Sequence, residues 1–235
     1  MAIFVLVHGA WHGGWCWKRL SPLLRAAGHD VYTPTLTGLG ERAHLLTPEV
    51  NLRTHIDDIV QVLHYEDLSD VLLVGHSYAG LVISGVADRV PDRLAQLIYL
   101  DAYVPRVGEN VEEALGPGTY AQLAEQARTT GEGWFLPSPP PGDFGITADA
   151  DVMWMQERLR PHPLGRQQPP LRLLTTPAAG ALARAFIFCT ATTQFESYAE
   201  WVRTDSAWRY AELAAGHDAM VTAPYELARV LIGLA

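Results

Sequence analysis

The chain has 235 residues, of which 49% are hydrophobic and 18% charged, and its formal net charge is −9. This length and composition are typical of a folded domain with a sizeable core and exclude a disordered chain. The negative charge argues against nucleic acid and an anionic membrane surface as partners. No apolar run approaches the roughly 18 residues that a membrane span needs, so no membrane association is expected.

The two cysteines, Cys16 and Cys189, each lie in or beside an apolar run. Two cysteines do not make a disulfide framework, and this pair lacks the spacing of metal ligands. The first residues form a strand-like run, without the basic segment and apolar stretch of a secretory signal. We therefore expect two buried thiols, no metal site and a cytoplasmic protein.

Strand and helix patterns alternate along the chain. Apolar or β-branched runs predict strands at residues 3–7, 30–34, 71–74, 94–100, 185–189 and 208–213. Apolar residues spaced at three and four predict helices at residues 15–27 and 52–65, after residue 80, and from about residue 224 to the end. The alternation predicts an α/β fold with a mainly parallel sheet of about six strands flanked by helices.

Residues 103–180 break this alternation, since they contain many prolines and no comparable strand run. A loop of that length is uncommon inside a compact domain. We therefore predict a core of residues 1–102 and 181–235, with a small helical cap, residues 103–180, inserted after the fourth strand. Apolar cap residues, with Trp134 and Trp154 among them, would line a substrate pocket or form the core of the cap itself.

A strand, a sharp turn and a helix meet at the sequence Gly-His-Ser-Tyr-Ala-Gly, residues 75–80. A nucleophile elbow places its serine in strained backbone geometry and needs small residues two positions before and after it. Gly75 and Ala79 meet that demand, so Ser77 is predicted to be a nucleophile. The alternative is a serine that caps the following helix.

A histidine follows the last predicted strand, in the sequence Gly216-His217-Asp218. A base for the serine should lie on a loop beyond the carboxyl edge of the sheet, and it should follow the serine in the chain. His217 satisfies both conditions.

The first strand leads into a glycine-rich loop, residues 8–14, that reads His-Gly-Ala-Trp-His-Gly-Gly. Such a loop lets a backbone N–H approach a developing oxyanion, and we expect the N–H groups of Ala10 and Tyr78 to form the oxyanion hole. Trp11 and His12 on the same loop are predicted to contact the substrate. A dinucleotide site is disfavoured because the spacing is not G-x-G-x-x-G.

Residues 5–17, 75–80 and 216–220 resemble the plant esterase and hydroxynitrile lyase group of α/β-hydrolases, and more closely its bacterial relatives that hydrolyse pyrethroids and other carboxylic esters. The resemblance runs nearly end to end and is weakest in the cap. It implies a hydrolase without a cofactor, with Ser77, His217, Ala10 and Tyr78 in the roles given above.

Two positions depart from the lyases of that group. Those enzymes use a threonine where this chain has Gly9, and a lysine where it has Asp218. Cleavage of a cyanohydrin needs a cation near the leaving cyanide, and an aspartate opposes that charge. The resemblance therefore favours ester hydrolysis over lyase activity.

The sequence offers two candidates for the acid that would orient His217. The plant family carries an aspartate after the strand at residues 185–189, whereas residues 190–194 of this chain contain no acid. Glu196 follows shortly, and Asp101 ends the fourth strand, a position from which some other α/β-hydrolases supply the acid. Asp101 is favoured, because a strand end holds a side chain more rigidly than a loop. Glu196 is the first alternative, and a dyad completed by water or another acid stays open.

These observations predict a serine hydrolase that cleaves a carboxylic ester of a small to medium, apolar or aromatic molecule through an acyl-enzyme. Three other functions stay open on the same scaffold: an acyltransferase or cyclase, a lyase, and a ligand receptor with impaired catalysis. The expected partner is a small-molecule ester, and the sequence leaves open a homodimer formed through the cap.

Overall fold

The computed structural model describes residues 1–166 and 171–235. The strands are β1 (Ile3–Val7), β2 (Asp30–Tyr32), β3 (Val71–His76), β4 (Leu94–Leu100), β5 (Phe135–Leu136), β6 (His162–Pro163), β7 (Ala183–Cys189) and β8 (Trp208–Leu213). The helices are α1 (Ser21–Ala26), α2 (Leu52–Tyr65), α3 (Ala79–Arg89), α4 (Val111–Leu115), α5 (Thr119–Thr130), α6 (Asp149–Gln156), α7 (Pro177–Ala181), α8 (Glu196–Thr204), α9 (Ala219–Thr222) and α10 (Pro224–Leu234).

Six strands form one parallel sheet in the order β2-β1-β3-β4-β7-β8. The central strand β3 is buried along its whole length, as its continuous apolar sequence predicts. Because all the strands run in the same direction, the chain segments that follow β1, β3, β4, β7 and β8 emerge at the same edge of the sheet. That edge is where an open α/β sheet binds its ligands.

Helices cover both faces of the sheet. One hydrophobic cluster joins the sheet to α2, α3 and α8, and the other joins it to α1, α9 and α10. The α2 helix shows how the sequence produces this arrangement. Its apolar residues repeat at three and four, and its N-terminus is capped by Asn51, whose side chain accepts a hydrogen bond from the N–H of Arg53.

The helix predicted at residues 15–27 is divided into two parts. A 3-10 helix covers Gly14–Lys18, and α1 begins at Ser21. Pro22 explains the division, because proline lacks the N–H that a helix interior requires and its ring clashes with the carbonyl four residues earlier. Gly28 follows α1 with φ of +85°, the left-handed conformation expected of the glycine after a helix.

Residues 103–180, predicted to form a cap, contain α4, α5, α6, all but the last residue of α7, and the short antiparallel pair of β5 and β6. This pair is attached to the loop after β1 through one residue. The indole N–H of Trp11 donates to the Leu136 carbonyl at 3.2 Å, and the Trp11 carbonyl accepts from the N–H of Arg160 at 3.0 Å. Within the described ranges, none of the helices is both long and apolar enough to cross a bilayer.

Candidate active site

The chain turns sharply between β3 and α3, with Ser77 at the turn. The φ of Ser77 is 55°, in the left-handed region that residues other than glycine seldom adopt. Its carbonyl accepts hydrogen bonds from the N–H groups of Gly80 (3.1 Å) and Tyr103 (3.2 Å). A Cβ added to Gly75 would lie 2.6 Å from the Ala79 carbonyl oxygen, so the turn excludes a larger residue there. This is the geometry of a nucleophile elbow.

The loop after β1 lies directly against the elbow. A Cβ added to Gly9 would lie 2.9 Å from the Cβ of Ser77, so glycine is what allows this approach. Ala10 follows on the loop, and Tyr78 precedes the first residue of α3. Among the described residues, the N–H groups of Ala10 and Tyr78 donate no hydrogen bond. Both are therefore available to an oxyanion that develops beside Ser77.

His217 is hydrogen-bonded to Asp101, and both side chains are buried. The Nδ1 of His217 lies 2.7 Å from Oδ2 of Asp101. Because an ionised carboxylate only accepts, Nδ1 carries the proton and Nε2 presents its lone pair. The carboxylate also accepts from the N–H of Cys189 (3.2 Å) and the hydroxyl of Thr192 (3.3 Å), which fix its orientation.

Glu196, the alternative acid, has a different position. It is the first residue of α8, and its side chain is exposed to solvent. The contact with His217 comes instead from Asp101, because Asp101 follows β4 in the middle of the sheet. The N–H of Asp101 donates to the Ile187 carbonyl of β7 at 2.8 Å, which ties this strand end to the neighbouring strand.

The imidazole of His217 lies in an aromatic environment. The rings of Phe195 and Phe144 are nearly parallel to it, at centroid distances of 5.4 Å and 6.3 Å. The carbonyl of His217 accepts a hydrogen bond from Nε2 of His76 at 3.1 Å. The two phenylalanines limit access of water to the imidazole, and the hydrogen bond attaches the histidine loop to the elbow.

A buried ion pair connects the same loop to the oxyanion loop. Nε2 of His12 lies 3.0 Å from the Asp218 carboxylate, and Nδ1 of His12 donates to the Ala10 carbonyl at 2.7 Å. Burial opposes the charge on each partner. The Asp218 carboxylate and the Ala10 carbonyl nevertheless raise the pKa of His12, while His12 and then His76 hold the pKa of Asp218 below its usual value. The pair positions Ala10 relative to His217.

One cluster among the described residues has the composition of a metal site. Potential ligand atoms of His76, His217 and Asp218 lie within 4.8 Å of one another. His76 already donates to the His217 carbonyl, His217 donates to Asp101, and Asp218 accepts from His12. Nδ1 of His76 and Oδ1 of Asp218 have no hydrogen-bond partner among the described residues. Because each of the three side chains is nevertheless held by one of these hydrogen bonds, we interpret the cluster as part of the hydrogen-bonded histidine loop.

A cavity extends from Ser77 toward residues 103–164, and most of its wall is apolar. It is lined by Ala10, Trp11, Leu52, Ser77, Tyr78, Leu81, Tyr103, Val111, Leu115, Tyr120, Leu123, Leu136, His162, Pro163, Leu164 and Gln194. Residues of the loop after β1, of α2, of the elbow and of α3 line one side, and residues of α4, α5, β5 and β6 line the other. This arrangement suits a small apolar or aromatic molecule with a few polar groups.

Of the four residues predicted to contact substrate, only Trp11 lines this cavity. His12 is 1% exposed and is occupied by Asp218. Trp154 packs edge-to-face on Trp15 at 5.0 Å, away from the cavity. Trp134 packs on its neighbour Phe135 and lies outside the lining. The structure therefore places these three side chains outside the cavity lining, because aromatic character alone does not show which way a side chain points.

Two features of the site escaped the sequence analysis. The His12–Asp218 pair joins residues 206 positions apart, and no local pattern indicates such a contact. His162 enters the cavity from β6, in a part of the cap that carries no recognisable motif. Asp218, the charged residue next to His217, was the one signal in the sequence that could have indicated the His12–Asp218 pair.

The geometry agrees with comparisons to known proteins. The sequence model described as the alpha/beta hydrolase family matches residues 4–230. The chain belongs to the alpha/beta hydrolase family. A carbendazim-hydrolysing esterase of Nocardioides sp. (strain SG-4G) is 41% identical over 243 residues, with all of both chains covered. This hydrolase is accordingly an esterase.

Relatives of the esterase are also found in plants. Salicylic acid-binding protein 2 of Nicotiana tabacum is 28% identical over 260 residues, covering 99% of this chain and 96% of that protein. Among solved structures, polyneuridine aldehyde esterase has a TM-score of 0.83 at 22% identity, covering 100% of this chain and 99% of that one. At 22% identity, this structural similarity shows that the two proteins share a fold.

Proposed function

We propose that the esterase hydrolyses a carboxylic ester or carbamate with a small to medium, apolar or aromatic group, through an acyl-enzyme on Ser77. The observation that carries this proposal is the buried hydrogen bond between His217 and Asp101 beside a strained serine elbow. The relative named for carbendazim hydrolysis, which matches the chain along its whole length, supports the substrate class.

The proposed reaction has two steps. His217 Nε2 takes the proton of Ser77 as its oxygen attacks the carbonyl carbon, and the N–H groups of Ala10 and Tyr78 stabilise the oxyanion. His217 then protonates the leaving alcohol, and the acyl-enzyme remains. A water molecule, deprotonated by His217, attacks the acyl-enzyme, and the acid leaves as Ser77 regains its proton. Asp101 holds the required tautomer and stabilises the imidazolium.

The experiment is hydrolysis of a panel of methyl and p-nitrophenyl esters, together with carbendazim, by the wild type and the Ser77→Ala variant. We expect the substitution to lower kcat by about 10⁵- to 10⁶-fold, as when other serine nucleophiles are removed. A fluorophosphonate probe should label the wild type but not the variant. A loss of only tenfold, or labelling that persists in the variant, would refute Ser77 as the nucleophile.

A further inference from the structure

The cavity contains few polar side chains, and most of them are bonded within the protein. Besides Ser77, the polar lining side chains are Trp11, Tyr78, Tyr103, Tyr120, Gln194 and His162. The indole N–H of Trp11 donates to the Leu136 carbonyl. The hydroxyl of Tyr103 interacts with the side chain of Gln194. Tyr120 lies partly open to solvent at the rim, where water can satisfy its hydroxyl.

The hydroxyl of Tyr78 is also bonded, in a direction that the geometry fixes. Nε2 of His55 lies 3.0 Å from the Thr37 carbonyl, which can only accept, so Nε2 carries the proton. Burial lowers the pKa of His55 to about 4, so the other nitrogen, Nδ1, bears a lone pair. Nδ1 lies 3.0 Å from the Tyr78 oxygen, and the hydroxyl therefore donates to it. The lone pairs of the Tyr78 oxygen remain available as acceptors.

His162 differs from the other buried histidines. It is 3% exposed, and neither of its ring nitrogens has a hydrogen-bond partner among the described residues, whereas His76 has an unpaired Nδ1 but a bonded Nε2. The remaining buried histidines, His8, His12, His55, His76 and His217, each take part in at least one hydrogen bond. An unsatisfied buried polar group costs about 1–3 kcal/mol, so its presence calls for an explanation. Nδ1 is fully enclosed, whereas Nε2 keeps some exposed surface, and since His162 lines the cavity a ligand can supply a partner to Nε2.

The imidazole of His162 is neutral and held in place. Burial, and then the proximity of His55 and His8, keep its pKa well below the ordinary value. Its ring lies edge-to-face on Tyr78, at a centroid distance of 4.5 Å, and β6 fixes its backbone against β5. A neutral imidazole offers one N–H donor and one lone pair. Such a group pairs with either an acceptor or a donor of a neutral ligand, and a nitrogen heteroaromatic ring with an N–H offers both.

We propose that His162, with the Tyr78 oxygen beside it, is a specificity-determining subsite that hydrogen-bonds a nitrogen heteroaromatic group in the substrate. This inference rests on the proposed hydrolysis at Ser77 and names the substrate class more closely. A hydrocarbon ring of the same outline fits the apolar wall but leaves His162 unpaired. A site that bonds a polar group of its substrate discriminates strongly against an analogue that lacks it.

The test compares two methyl esters of similar shape, one of a benzimidazole carboxylic acid and one of naphthoic acid. We expect the wild type to prefer the benzimidazole ester. The His162→Phe variant should lose about 10- to 100-fold in kcat/KM on that ester, consistent with one lost hydrogen bond, and should hydrolyse the naphthoate within about threefold of the wild-type rate. His162→Asn, which retains a donor and an acceptor, should recover part of the preference. The exposed His64 provides the control variant His64→Phe, which should match the wild type.

An equal fall on both esters, or no change on either, would overturn the role of His162. Calorimetric binding of the two esters to the Ser77→Ala variant, with and without His162→Phe, separates this inference from the proposed function. A heteroaromatic preference in binding that depends on His162, without turnover by the wild type, would uphold the subsite and refute the hydrolytic proposal. Hydrolysis of both esters at rates that do not depend on His162 would uphold the hydrolytic proposal and refute the subsite.

Discussion

Replacing Asp101 by asparagine removes one charge with little change in shape. The carboxylate accepts three hydrogen bonds: the Cys189 N–H on Oδ1, and His217 Nδ1 and the Thr192 hydroxyl on Oδ2. A backbone N–H cannot reverse its direction. The carboxamide oxygen should therefore keep the Oδ1 position, and its NH₂ group should face His217.

That orientation forces the wrong tautomer on the histidine. A lone pair on Nδ1 must face the new NH₂ group, so the proton moves to Nε2, the nitrogen that should accept from Ser77. The same change in other serine hydrolases lowers kcat by about 10⁴-fold, which corresponds to about 5.5 kcal/mol. If the carboxamide were flipped so that its oxygen faced His217, its NH₂ group would face the buried Cys189 N–H and leave it unpaired, at a cost of about 1–3 kcal/mol.

The assay is kcat/KM on a p-nitrophenyl ester, together with the rate of fluorophosphonate labelling of Ser77. We expect both to fall about 10⁴-fold in Asp101→Asn, while the protein stays folded by circular dichroism. Glu196→Gln is the matched control, since it makes the same acid-to-amide change at the exposed alternative position. If Asp101→Asn retained more than a tenth of the activity, or Glu196→Gln lost as much, Asp101 would not be the orienting acid.

Three further outcomes concern the framework of the site. Asp218→Asn leaves His12 buried without its counter-charge and should lower the free energy of unfolding by about 3–5 kcal/mol. Asp57→Asn, in the exposed ion pair with Arg89, is the control and should change it by less than about 1 kcal/mol. Urea denaturation measures both free energies. Folding raises the pKa of His12 above 6.5 and lowers the pKa of Asp218 below 3.8. The pair therefore stabilises the folded state fully between pH 3.8 and pH 6.5, and this stabilisation is lost as the pH rises through the folded-state pKa of His12. The stability difference between the wild type and His12→Gln should therefore be larger at about pH 5.5 than at about pH 9, and a difference that grows with pH would contradict the ion pair. Gly80→Ala would place a Cβ 2.0 Å from a main-chain carbonyl oxygen and should reduce thermal stability and activity together, whereas Gly233→Ala, which meets nothing within 4 Å, should not.

The sequence by itself determined the six strands of the parallel sheet, the elbow and the histidine loop, but not the short pair of β5 and β6. Each of these depends on a short run of residues. The predicted strands at residues 3–7, 94–100 and 208–213 have the bounds seen in the structure. For the first two the reason is a nearly continuous apolar run, which a strand buried on both faces needs. The elbow is likewise local, since its small residues and its serine lie within six positions of one another.

Only the tertiary structure decided which distant side chains meet. Asp101 and Glu196 both follow the serine and precede the histidine, and chain order cannot rank them; the adjacency of β4 and β7 brings Asp101 to His217. His12 was expected to face substrate, but folding brings it to Asp218 instead. These contacts depend on the order of strands and the packing of loops, which join residues a hundred or more positions apart and leave no periodic trace in the sequence.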